Sequence, residues 1–103
     1  MIQVSPARRI HILDGDATGG GHGPGIGISG KSEFPATFSD DEIIAGVELI
    51  ANTPASYPGG VIPSLPGDYK IAGLIKGVRT SVIVDPTAGT VVSVWPQGAP
   101  RNP

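Results

Sequence analysis

The chain has 103 residues, a formal net charge of -2 and no cysteine, which allows one hydrophobic core and excludes disulfide stapling, thiolate catalysis and cysteine-based zinc sites. Its 39% hydrophobic and 16% charged content is that of a soluble globular chain, and 16 glycines with 11 prolines predict long loops and little helix. No apolar run nears the ~20 residues of a bilayer span, no signal segment opens the chain, and the weak acidity gives no global attraction to nucleic acid or anionic membrane.

Residues 1–8 carry little pattern, and Pro6 argues against a long helix there. Arg8 to Leu13 is a short apolar–basic run, helix or strand, that delivers His11 to a glycine-rich stretch. From Asp14 to Pro35 the chain should be irregular. The segment His11–Pro35 holds both histidines, Lys31 and half of the glycines, so it cannot bury a core and orders only at high entropic cost. It concentrates acid–base chemistry instead, since an imidazole titrates near ~6.5.

Ser39-Asp40-Asp41-Glu42 reads as a capping box. Ile43, Ile44, Val47, Ile50 and Ala51 then fall on one face at helical spacing. Asn52 and Pro54 close a helix predicted from about Asp40 to Ala51. Residues 53–67, rich in proline and glycine, should form a long connecting loop. Three runs of strand composition follow. Tyr69–Ile75 leads through a Lys76-Gly77 turn to Val78–Val84, and Asp85–Gly89 turns the chain into Thr90–Trp95, stopped by Pro96. The reading is a single α+β domain: an antiparallel meander of at least three strands packed against one main helix, with the glycine-rich loop over it.

Several motifs look sharper than they are. Gly25-Ile26-Gly27-Ile28-Ser29-Gly30-Lys31-Ser32 satisfies both G-x-G-x-x-G and G-x-x-x-x-G-K-[ST]. Both need a buried strand before and a helix after; here glycines precede and Pro35 follows, so nucleotide binding by these routes is set aside. Asp14–Gly19 imitates half of a calcium loop, but its twelfth position is Gly25 rather than an acid, and a turn shaped by aspartates accounts for it. Two imidazoles with Asp14 or Asp16 could make three metal ligands, though no spacing selects that geometry.

His11 and His22, with Lys31, match what metal-free RNA cleavage asks for. One neutral imidazole takes the proton of the ribose 2'-hydroxyl, a protonated one supplies a proton to the leaving 5'-oxygen, and a cation steadies the charge on phosphorus. On spacing alone, two polar loop histidines are the favoured account. Trp95 and Ser93 on a strand could be core and solvent-facing surface, and Arg101 and Asn102 could touch RNA or be frayed tail, the tail being favoured. Arg8 and Arg9 could form a phosphate patch beside His11 or merely solubilise the segment; Asp14 and Asp16 read as loop-shaping.

His11-Ile-Leu-Asp-Gly-Asp16, Gly-Gly-Gly-His22, Gly30-Lys31-Ser32-Glu33-Phe34-Pro35, Ser39-Asp-Asp-Glu42 and Val92-Ser93-Val94-Trp95-Pro96 together resemble the bacterial EndoU nuclease domain, over nearly the whole chain from Arg8. The resemblance implies the compact α+β fold shared with barnase, colicin-type tRNases and RelE-like toxins. It implies cofactor-free endoribonuclease activity through 2'-hydroxyl attack, with tRNA among the substrates. It also implies a toxin carried by a larger secreted bacterial protein into a target-cell cytoplasm, and a cognate immunity protein. Carried across, the family histidines fall on His11 and His22, and the late hydroxyl–aromatic pair on Ser93 and Trp95, where Thr and Tyr are common. Lys31, in the matching segment, is the first candidate for the catalytic lysine and Lys70, on the first strand, the other; Arg8, beside His11, is a candidate substrate contact from its position in the sequence. The indole of Trp95 keeps a stacking face and loses a phenol's hydrogen bond.

Overall fold

In the computed structural model, which describes residues 1–53, 61–63 and 67–103, the elements run α1 (Pro6–Leu13), α2 (Asp40–Asn52), β1 (Val61–Pro63), β2 (Tyr69–Ile75), β3 (Val78–Asp85) and β4 (Thr90–Pro96). Among the described residues, no helix is long and apolar enough to cross a membrane.

Helix α2 begins as the sequence predicts. The Ser39 hydroxyl accepts the Glu42 amide at 3.1 Å, and the Glu42 carboxylate accepts the Ser39 amide at 3.0 Å. Three acids in the first turn complement the helix dipole. Ile43, Ile44, Val47, Ile50 and Ala51 are buried along one face. Gly46, costly inside a helix by about 1 kcal/mol, has a specific reason: a β-carbon there would lie 2.9 Å from the Ile75 side chain. Its absence lets α2 settle close on β2.

Helix α1 resolves the Arg8–Leu13 run, left open between helix and strand, as helix and starts it two residues earlier. Pro6 is not a breaker but a helix-starting residue, behind a Ser5 cap that accepts the Arg8 amide at 3.2 Å. Its fixed φ suits the first turn, and the amide it lacks would have been unpaired there. Ile12 and Leu13 reach the core.

The sheet is an antiparallel meander in the order β1-β2-β3-β4, packed on α2, so the fold is α+β. The turn between β2 and β3 puts Lys76 and Gly77 at φ +47° and +84°, the left-handed pair that a two-residue hairpin needs. The predicted loop at 53–67 needs correction: Val61–Pro63 pairs with Tyr69–Ile71 as a short edge strand. The rest of it, at 54–60 and 64–66, lies outside the described residues. Pro96 ends β4 from within, opposite Thr80.

The register sorts the two sheet faces. Ile71, Val82 and Val94 lie across from one another and are buried against α2, with Ile75, Val84 and Val91. The opposite face carries the cross-strand rows Lys70–Ile83–Ser93 and Ala72–Ser81–Trp95. The β3–β4 register shifts between Ile83 and Val84, leaving Val92 as an extra residue in β4.

Candidate active site

The site starts at the end of α1, where the last carbonyls of a helix lack partners within it. Here the glycine-rich loop supplies them. The chain reverses through a turn closed by Asp16 and Gly19, whose backbones exchange hydrogen bonds at 2.9 and 3.1 Å. It then returns along the helix end: the amides of Gly21, His22 and Gly23 donate to the carbonyls of His11, Ile12 and Leu13 at 2.9, 2.8 and 2.9 Å. Only glycine permits so close a return. A β-carbon at Gly20 would overlap the His11 carbonyl, and one at Gly23 would lie 2.7 Å from the Leu13 oxygen. This backbone zipper brings His22 beside His11.

Each imidazole is fixed through Nδ1. His11 Nδ1 lies 3.0 Å from Asp16 Oδ1, an oxygen that also accepts the Thr18 hydroxyl at 2.6 Å and the Thr18 amide at 2.9 Å. The Thr18 hydroxyl and then the His11 ring hold the Asp16 carboxyl well below the usual carboxylate range. It is therefore an acceptor, which puts the Nδ1 hydrogen on His11 and leaves Nε2 for chemistry. His22 Nδ1 donates to the Ser32 carbonyl at 2.6 Å, so its Nε2 is also the free nitrogen. Burial pushes the His22 pKa below 6.5; the Ser32 carbonyl opposes this, while the charges of Lys31 and His11 add to it.

Both rings line one cleft of about 360 Å³ together with Lys31, Ser93, Trp95 and Arg101. Five of the seven residues singled out in the sequence thus share one concavity. Trp95 is half-buried at its wall rather than sunk in the core. Lys70 does not line the cleft: it sits behind the indole, with Nζ 5.5 Å from the Trp95 ring centre. Arg8 does not line it either. Its guanidinium donates to the carbonyl of Val92, the extra residue of β4, at 3.3 Å, and so ties α1 to β4 instead of forming a phosphate patch.

Two residues gain roles that the sequence reading withheld. Asp16 shapes its loop and also orients His11. Arg101, read as tail, is paired to Ser32 by an antiparallel bridge and reaches the cleft. No local pattern announces that pairing, because its partner lies far back in the chain.

The carboxylates stand apart. Asp41 pairs with Arg9 at 2.7 Å, Glu42 with Lys76 at 2.5 Å, and Glu48 accepts the Val4 amide at 2.8 Å. None of these, nor Asp40, lines the cleft. Among the described residues no three His, Asp or Glu side chains are grouped to hold a metal ion, so the ligand set of two histidines and an aspartate is not assembled. The 25–32 stretch has no strand before it, and the next helix after it is α2. Comparison with protein-family models, with curated proteins and with solved structures finds no match to this chain.

Proposed function

We propose that this domain is an RNA endonuclease of the bacterial EndoU type, cleaving through the ribose 2'-hydroxyl without a cofactor. The observation that carries the reading is the cleft itself: two imidazoles, each tied through Nδ1, offer Nε2 to one space beside Lys31, Ser93 and Trp95. His22 is the base. Its burial favours the neutral ring, and its partner is an uncharged carbonyl. His11 is the acid, since Asp16 can keep its Nδ1 hydrogen bond while Nε2 also carries a proton.

In the step, the 2'-hydroxyl proton passes to His22 Nε2 and the 2'-oxygen bonds to phosphorus. The bond from phosphorus to the 5'-oxygen breaks, and His11 Nε2 protonates that oxygen. The products are a 2',3'-cyclic phosphate and a 5'-hydroxyl. Lys31 supports the developing charge on the phosphoryl oxygens, Ser93 contacts the phosphate, and Trp95 stacks a base, worth about 1–3 kcal/mol. The resemblance adds tRNA as substrate, delivery by a larger secreted bacterial protein, and an immunity protein that blocks the cleft.

Incubation of purified tRNA with the protein in excess chelator tests this. Fragments should end in cyclic phosphate, and His11→Ala and His22→Ala should each lower the rate by about 10²–10⁴-fold. Cleavage that chelator abolishes and zinc or manganese restores would make the enzyme a metal-dependent phosphodiesterase. Intact RNA at pH 6–8 would make the domain a binding module.

A further inference from the structure

The segment after β4 is pinned to the loop that carries Lys31. The Gly30 amide donates to the Asn102 carbonyl at 2.9 Å, and the Asn102 amide donates to the Lys31 carbonyl at 2.8 Å. The Asn102 side-chain amide donates to the Ile28 carbonyl at 3.0 Å and to Glu33 Oε2 at 2.8 Å. Glu33 in turn accepts the amides of Gly25 and Gly27 at 3.0 and 2.7 Å. Arg101 therefore lines the cleft from a backbone pinned at Asn102 and bridged to Ser32.

Its charge is uncompensated. Among the described residues Arg9 is paired with Asp41 and Lys76 with Glu42, but Arg101 and Lys31 have no carboxylate partner. Both line the same cleft. A free guanidinium carried by a pinned stretch of backbone at the wall of a cleft suits a polyanion, because its planar fork binds two phosphate oxygens at once. We propose that Arg101 binds a backbone phosphate of the RNA strand, one flanking the phosphate that Lys31 and the histidines surround. This rests on the nuclease reading of the cleft for the identity of the strand. The contact is made to substrate and to transition state alike, so it governs binding more than the chemical step.

A single-stranded DNA oligonucleotide has the phosphates without the 2'-hydroxyl and is not cleaved. Its binding can be followed by the fluorescence of Trp95, the one tryptophan in the chain. Arg101→Gln should weaken binding about tenfold and reduce the slope of log affinity against log salt by about 0.7, the loss of one phosphate contact on a single strand. Arg101→Lys should restore part of the affinity and the whole slope. With RNA as substrate, Arg101→Gln should raise KM about tenfold and leave kcat within about threefold. Equal affinity and slope in wild type and Arg101→Gln overturn the proposal and leave the guanidinium to the carboxylates of a protein partner. So does a wild type that does not bind the strand. Arg101-dependent binding by a wild type that cuts no RNA upholds this contact and removes the nuclease reading alone.

Discussion

His11 and His22 are the same side chain with different neighbours, and the difference assigns their work. A carboxylate stands behind one ring and a peptide carbonyl behind the other. Burial lowers the His22 pKa below 6.5, so with His22 as the proposed base, cleavage should fall only as the pH drops through a value under that of a free imidazole. The acid limb of kcat/KM should therefore have its midpoint below pH 6.5, measured on a short RNA under subsaturating conditions. A midpoint at 7 or above would reverse the roles of the two rings. The histidines, Lys31, Ser93 and Trp95 were legible in the sequence because their residue types belong to one chemistry and their motifs follow in a recognisable order. Arg101 could be named only as a less favoured RNA contact, since nothing local distinguishes a pinned arginine from a frayed one. Asp16 was half legible: its turn chemistry could be read, while its second task depends on where the end of α1 points.

At the level of elements, the distance between the two rings is a backbone quantity, set by the amides of residues 21–23 on the carbonyls of residues 11–13. Gly20 has φ +77° and no room for a β-carbon against the His11 carbonyl. Gly20→Ala should cost about 1–3 kcal/mol in denaturant unfolding and lower kcat at least about 100-fold by spreading the rings. Gly25 has the same φ but open space around it. Gly25→Ala should cost only about 1–2 kcal/mol and keep its kcat. Equal kcat in the two variants would disconnect the zipper from catalysis. Helix α2 and the β2–β3–β4 meander could be read in advance because a capping box and a left-handed turn pair are local signals. Helix α1 was legible only as a short run, helix or strand, from Arg8, because a proline marks a helix start only when the residue before it is known to be a cap. Strand β1 was missed because three residues carry too little pattern, and its pairing with β2 is what makes it a strand.

Across the whole molecule, an acidic chain presents a basic cleft because its carboxylates are spent elsewhere. Several of them also hold the fold together. Lys76 and the Ser39 cap bring the Glu42 pKa down from 4.5 to about 2, and Asn102 with the amides of Gly27 and Gly25 lowers that of Glu33. A carboxyl with a depressed folded pKa stabilises the native state above its unfolded value and loses that contribution as pH falls through the folded one. The buried His22 adds a smaller loss of the same sign below 6.5. Melting temperature followed by circular dichroism should thus change little from pH 7 to 5 and fall steeply between about pH 4.5 and 2. A melting temperature at pH 3 equal to that at pH 7 would mean that these contacts do not form in solution.

The bridge between Ser32 and Arg101 also bears on synthesis. Protein chains emerge from the ribosome in order, at about 5–20 residues per second. Both imidazoles leave the exit tunnel before Ser93, Trp95 and Arg101, which line the same cleft. Under the proposed nuclease reading, a nascent chain carries its two histidines past ribosomal RNA before the rest of the cleft exists, and the cleft is complete only when translation has passed residue 101.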